Sequence, residues 1–313
     1  MLAVRFDTEG ASVLDSPPPS GDGVLVNVKG VGICGSDLSM LASGGAPLVP
    51  GHEIAGVTED GVAVAVQPNL PCGACALCAA GRSHLCPESM QHFLGVNGLD
   101  GGFAEQVLVH PRQLRPVPAG LAVELAALAE PVAVAAHAAT RLKAANGAPV
   151  LVVGAGTIGL FAAAILTQLG HQVSVVARHS HQQVLAEAAG AHVVTSTESA
   201  TRSFDSILDT AGSQSAMDLA YEASAPGGRI VSVGCGGWSV TTSVTSLVKE
   251  LSLVASVIYT EEEFEDAVLW LTANSDFSAQ LVTHRFSLAD APEAFRLAAG
   301  RADSGSVKVL IQP

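Results

Sequence analysis

Apolar positions change their period along the chain. Between Val24 and Gly56 they fall in short β-branched runs broken by glycine, which read as strands, and Ser16-Pro-Pro-Pro-Ser-Gly-Asp-Gly23 ahead of them reads as a loop. This part is expected to be mostly β. From Val117 the character shifts, and Glu124 to Ala145 is alanine-rich and helical in composition. Strand-like runs at Val150–Val153, Val173–Val176, Ile207–Leu208 and Ile230–Val233 then alternate with helix-like stretches at Ile158–Leu169, Gln182–Ala189 and Ser215–Ala223. Such alternation predicts a parallel sheet wrapped by helices, an α/β architecture. Beyond Tyr259 an acidic helix over Glu261–Thr272, a second helix over Ala289–Ala299 and a strand over Val307–Ile311 are expected.

The run Ala148–Leu166 carries no charge and is long enough to cross a bilayer. Gly154, Gly156 and Gly159 divide it after Val150–Val153, which favours a buried strand, a tight turn and a packed helix over a membrane span. Arg5, Asp7 and Glu9 interrupt the stretch where an export signal needs unbroken apolar residues, so the cytoplasm is the expected compartment. With 313 residues there is room for about two domains. The core must be aliphatic, because 49% of residues are apolar and only 4% aromatic. A formal charge of −14 repels phosphate backbones and anionic lipid alike, which argues against nucleic-acid and membrane partners.

Four of the six cysteines form Cys72-x2-Cys75-x2-Cys78-x7-Cys86 in a loop of Gly, Ala and Pro. Four thiolates so close together can enclose one zinc ion tetrahedrally, as a structural site does, and an iron–sulfur cluster is the alternative. Disulfides fit poorly in a reducing compartment. A second set is spread more widely. Cys34 lies in Gly32-Ile-Cys-Gly-Ser-Asp37 and His52 in Pro50-Gly-His-Glu53, both expected at turns between apolar strands, while Glu130 is a single acid in an apolar stretch. An unpaired buried carboxylate is costly, so something cationic should meet Glu130. A second zinc held by Cys34, His52 and Glu130 would keep its fourth position open, as a catalytic zinc requires.

The stretches VGICGSD (Val31 to Asp37), PGHE (Pro50 to Glu53), CGACALCAAGRSHLC (Cys72 to Cys86), GGFAEQV (Gly101 to Val107), AEPVAVAAHA (Ala129 to Ala138), VLVVGAGTIG (Val150 to Gly159) and PGGRIVSVG (Pro226 to Gly234) together resemble the zinc-dependent medium-chain dehydrogenase/reductases, the superfamily of alcohol, polyol and threonine dehydrogenases. The resemblance covers nearly the whole chain. It implies a GroES-like, mostly β catalytic domain over residues 1–123 and 260–313, and a doubly wound Rossmann domain over 124–259. It also implies Cys34, His52 and Glu130 as catalytic zinc ligands, with Glu130 in the polyol-dehydrogenase style. Ser36 would move the proton, Asp37 would fix the tautomer of His52, and Glu53 would be an outer or temporary ligand. The chain departs from the family twice: the passage between Gly56 and Val62 is short, and Ser39 stands where a relay histidine is usual. The apolar run Leu253–Ile258 falls where the family ends its Rossmann sheet against a partner subunit, which implies a homodimer or homotetramer.

Gly154-x-Gly156-x-x-Gly159 follows a β-branched run and opens a helix, the context in which glycines admit a pyrophosphate at a helix N-terminus. Thr157 and Ile158 complete that turn as cofactor-site candidates. After the second Rossmann strand an NAD enzyme places an acid that binds the ribose 2′-hydroxyl. Here that position is Ala177, followed by Arg178 and His179, cations suited to a 2′-phosphate, so NADP(H) is expected ahead of NAD(H).

The function expected from these readings is hydride transfer between a nicotinamide cofactor and a small secondary alcohol or polyol, or its ketone or aldehyde, with two zinc ions per chain. A biosynthetic ketone or imine reductase of the same family, and a non-catalytic zinc-stapled dinucleotide-binding protein, are the alternatives. Asp209 is expected either to touch the cofactor or to cap a helix, and Cys235 to be a small buried residue. His92 is placed where the family lines its substrate cleft, although a plain loop histidine is the simpler reading. His84, His110, His137, His171, His192 and His284 receive no role.

Overall fold

The computed structural model describes residues 1–313 apart from 235, 241–243 and 301–303, together with the side chains of 245 and 246; Cys235 therefore lies outside the described residues. The chain forms two compact units, Met1–Glu130 with Tyr259–Pro313, and Pro131–Ile258. The first boundary falls seven residues later than the expected 123/124. The reason is local: the 3-10 turn Val123–Leu128 packs on the strands Val24–Gly32, Glu53–Thr58 and Ala63–Val66, and so belongs to the β-rich unit.

In the first unit a seven-stranded sheet runs in the order Val282–Ser287, Lys308–Gln312, Val24–Gly32, Glu53–Thr58, Ala63–Val66 and Leu114–Pro116, with Gln106–Val109 also pairing with Val24–Gly32. Its pairs are antiparallel except the first. Val26, Val28, Val31, Ile54, Val64 and Val66 supply one wall of the core, against Phe6, Phe103 and Phe295, whose rings meet edge to face at 4.9 and 5.1 Å. The short passage after Gly56 closes as a tight hairpin in which Thr58 N donates to Val62 O and Gly61 N to Thr58 O, and the register Ile54↔Val66 is kept. The sheet thus stays continuous across the shortened stretch.

Between Val24 and Gly56 the expectation of short strands broken by glycine and joined by turns needs correction, because Gly35–Ala42 is a helix. Its first turn is closed by Asp37, whose Oδ2 accepts the Cys34 N–H at 2.8 Å, so Cys34 stands at the helix N-cap and not between two strands.

The second unit holds a six-stranded parallel sheet in the order His192–Val194, Gln172–Val176, Pro149–Val153, Phe204–Asp209, Ser224–Ser232 and Ser252–Ala255. Numbered along the chain this is 3-2-1-4-5-6, the doubly wound Rossmann order. The charge-free run Ala148–Leu166 is split between the Pro149–Val153 strand and the helix Thr157–Gln168, both largely buried. One other segment, Val123–Leu142, is long and apolar enough to cross a membrane, and most of it is buried inside the fold.

Candidate metal and dinucleotide sites

Strand register assembles the first site. Val24–Gly32 and Glu53–Thr58 pair with Gly32 opposite Glu53, which carries Cys34, just past one strand, toward His52, just before the other. Asp37 links the two residues: Oδ2 takes the Cys34 N–H, and Oδ1 lies 3.5 Å from His52 Nδ1, an ion-pair distance too long for a well-formed hydrogen bond. On the other side of the imidazole, Ser36 Oγ lies 3.4 Å from His52 Nε2. Phe93 meets the His52 ring edge-on at 5.9 Å. Burial pulls the imidazole pKa down, but the Asp37 carboxylate and the Cys34 sulfur outweigh it and raise it well above the ordinary value.

Two carboxylates accompany this pair. Donor atoms of Cys34, His52 and Glu53 lie within 4.8 Å of one another, and Glu130 is outside that group. Proximity therefore favours Glu53, whereas electrostatics favours Glu130. Both Glu53 oxygens are held by Lys308 Nζ, at 2.6 and 2.7 Å, and the lysine also donates to Ile33 O at 3.0 Å. Glu130, 4% exposed, forms no direct ion pair among the described residues; burial pushes its pKa up to about 7, opposed by the more distant charges of His52 and Lys308 and reinforced by that of Glu53. The fully buried Tyr259 influences Glu130 from nearby, and its hydroxyl makes no well-formed hydrogen bond. A thiolate, an imidazole and a carboxylate in need of a cation make a donor set suited to zinc. Ser39 is exposed, and its hydroxyl donates to Gly35 O in its own helix.

The lobe cysteines form the second group. Sγ atoms of Cys72, Cys75, Cys78 and Cys86 all lie within 4.8 Å of one another, with Cys75–Cys78 and Cys72–Cys86 separations of 3.6 Å. Ligands about 2.3 Å from a tetrahedral zinc sit about 3.8 Å apart, so the thiols are spaced for one ion. Backbone N–H groups of Ala74 and Cys75 point at Cys72 Sγ, and that of Cys72 at Cys86 Sγ, each at 3.4 Å. Burial acts to raise Cys86, yet such donors bring it down to about 6, while burial takes Cys78 up to about 12.

In the second unit Gly154 adopts φ +110°, and a Cβ on Gly159 would collide with the Gly154 carbonyl, so both positions require glycine. Gly156 is the N-cap of the helix opened by Thr157 and Ile158, no side chain caps it, and a Cβ there would face open space. Those features suit a pyrophosphate approaching the helix N-terminus. A cavity of about 520 Å3 is lined by Gly154, Val176, Arg178, Ser196, Ala211 and Ser213, among others. Ala177 is buried and Arg178 exposed on the wall of that cavity, whereas His179 stands at the N-cap position of the next helix without a side-chain capping bond and stacks on His181 at 5.6 Å. Asp209 turns out to be a loop anchor: Oδ1 accepts the N–H groups of Ala211 and Gly212, and Oδ2 the Ser232 hydroxyl.

Lys308 and Tyr259 escape a reading of the sequence. Lys308 leaves one trace, as the lone charge in the apolar stretch Val307–Ile311, but its partner is 255 residues away.

The fold and these sites define a zinc- and dinucleotide-binding oxidoreductase class. Residues 20–119 match the family profile described as "Alcohol dehydrogenase GroES-like domain" and residues 157–273 that described as "Zinc-binding dehydrogenase". The chain is 30% identical to L-idonate 5-dehydrogenase (NAD(P)(+)) of Escherichia coli, over 93% of this chain and 92% of that protein. It is 32% identical to D-xylulose reductase of Scheffersomyces stipitis, over 98% and 95% respectively. The crystal structure of the E. coli L-idonate enzyme superposes with a TM-score of 0.88 at 27% identity, covering 100% of this chain and 97% of that one. The chain belongs to the zinc-dependent medium-chain dehydrogenase/reductase family. It is an oxidoreductase that uses zinc and a nicotinamide cofactor and acts on small-molecule alcohols, which sets aside the non-catalytic reading.

Proposed function

We propose that this enzyme oxidises a secondary hydroxyl of a small polyol, or reduces the matching ketone, with one catalytic and one structural zinc per chain and with NADP(H) preferred. The observation that carries this reading is the contrast between the two buried carboxylates: Glu53 is already neutralised by Lys308, and Glu130 still calls for a cation. Cys34, His52 and Glu130 would hold the catalytic ion, and Cys72, Cys75, Cys78 and Cys86 the structural one. When bound, zinc supplies Lewis acidity toward the substrate oxygen and the nicotinamide exchanges the hydride.

The chain's own residues divide the remaining work. Asp37 orients the imidazole from the Nδ1 side and leaves Nε2 for the metal. The exposed Ser36 hydroxyl, 3.4 Å from Nε2, takes the substrate proton and passes it outward. Because Ser39 is bonded to its own helix, the route beyond Ser36 does not run through a residue at position 39. Glu53, held by Lys308 beside Cys34 and His52, stays paired and outside the ligand set.

Arg178 on the wall of the nucleotide cavity, with a buried alanine in place of the usual acid, supports NADP(H). Asp218 and Glu222 also line that cavity, Asp218 held by Gln214 Nε2 at 2.8 Å. A homo-oligomer is supported by the edge strand Ser252–Ala255, where Leu253 is 39% exposed, and by Val244, Leu247 and Val248 on the preceding helix, each at least 66% exposed. Two thiolate-bearing metal sites need reducing surroundings, which supports the cytoplasm. The test is a panel of polyols and ketoses assayed in both directions with each cofactor. Zinc-dependent change in nicotinamide absorbance on a polyol supports the reading. Turnover confined to primary alcohols, or to imines, overturns it.

A further inference from the structure

Parallel sheets of this order bind nucleotides at the carboxyl ends of their strands. In this protein the opposite end is open as well. The first residues of four neighbouring strands, among them Pro149, Gln172, His192 and Phe204, border a cavity of about 440 Å3. It shares no lining residue with the cavity beside Gly154.

Its chemistry is unlike that of the chain around it. In a protein of net charge −14, Arg202 and the imidazoles of His171 and His192 converge on one hollow, together with Ser174 and Ser203. Ser174 interrupts the buried apolar run Val173–Val176 of the strand Gln172–Val176, where burial on both faces calls for an apolar side chain; it is 7% exposed and lies on the cavity wall. One buried polar atom of a lining residue, Nδ1 of His171, makes no hydrogen bond. Buried polar groups are nearly always satisfied, so an unpartnered imidazole nitrogen on a lining residue is consistent with a ligand taking up that hydrogen bond.

The nearest acid does not cancel the cluster. Glu198 is close enough to Arg202 and His192 to feel their charge, but its Oε2 accepts the Thr195 N–H at 2.8 Å and the Thr195 hydroxyl at 2.9 Å. Its carboxylate is therefore occupied in capping its own helix.

We propose that this cavity binds the phosphate group of a small anion, held by Arg202 and by His171 and His192, with the Ser174 and Ser203 hydroxyls completing the shell. A guanidinium offers two parallel donors to adjacent phosphate oxygens, and imidazoles and hydroxyls donate to the others. The volume falls within the usual range of about 300–1,000 Å3 for small-ligand sites and leaves space for an organic part beside the phosphate.

The experiment is calorimetric titration of the zinc-loaded protein carrying Arg178→Ala, so that the cofactor site's arginine contributes nothing. Glycerol 3-phosphate and inorganic phosphate are the two probes. Either should bind, and adding Arg202→Ala or His192→Gln should weaken binding by about tenfold or more, with Arg202→Lys retaining part of it. In histidine-labelled protein the His171 and His192 imidazole signals should move during the titration. Tighter binding of the ester identifies a phosphate monoester as the ligand; equal binding identifies free phosphate. Affinity unchanged by Arg202→Ala, histidine signals that stay fixed, or no heat with either probe overturns the proposal.

Discussion

Lys308 Nζ lies 2.6 and 2.7 Å from the two carboxylate oxygens of Glu53, and both side chains are at most 2% exposed. The strand Lys308–Gln312 brings the lysine in by pairing with Val24–Gly32, which also pairs with the strand that begins at Glu53. Removing one member of such a buried pair strands the other charge. Lys308→Met should therefore destabilise the fold by about 3–5 kcal/mol in urea unfolding, and adding Glu53→Gln should recover much of that loss.

Gly32 makes room for that carboxylate, since a Cβ there would collide with Glu53. Gly32→Ala should displace Glu53 from Lys308 and disturb the nearby Cys34 turn, lowering kcat more than it lowers the thermal midpoint. A normal kcat in this variant would show that the position of Glu53 is irrelevant to turnover.

Glu130 gives the metal-free protein a defined pH response. Its folded pKa, about 7, lies above the ordinary carboxylate value, so the stability it contributes is fully present below about pH 4.5 and is lost as pH rises through about 7. At about 1.4 kcal/mol per pKa unit the effect is on the order of 3 kcal/mol. Thermal midpoints of the metal-free protein should show this loss relative to Glu130→Gln, which carries no ionisable group at that position. Parallel pH profiles for the two proteins would contradict the assignment.

Arg178 is expected to discriminate between cofactors. Arg178→Ala should raise the KM for NADP(H) about tenfold or more while leaving that for NAD(H) nearly unchanged, because a lost charge-assisted contact to the 2′-phosphate has no counterpart in NAD(H). Steady-state kinetics with both cofactors decides it.

Much of the fold and part of the site can be read from local signals. The lobe cysteines announce themselves by spacing, and the structure gathers their sulfurs within 4.8 Å. The glycines at 154 and 159 stand where a β-branched run meets a helix, and backbone geometry requires both. The helix Gly35–Ala42 is harder to see, because its glycine-rich start reads as a turn and its N-cap, Cys34, is held by the buried Asp37, which also serves His52. The strand Val282–Ser287 and the helix Ser275–Leu281 carry no strong periodicity and take their form from neighbours. Lys308 and Tyr259 cannot be read from the sequence, since their roles depend on residues more than a hundred positions away.

Zinc content per chain, measured on the wild type and on the Glu130→Ala, Glu53→Ala and Cys75→Ser variants, tests the two-site arrangement most directly. The wild type should hold two ions, one removed by mild chelation together with activity and one retained. Glu130→Ala should keep only the retained ion and remain folded, Glu53→Ala should keep both, and Cys75→Ser should lose the retained ion along with folding or assembly. One ion per wild-type chain, or loss of the labile ion in Glu53→Ala with its retention in Glu130→Ala, would contradict the assignment.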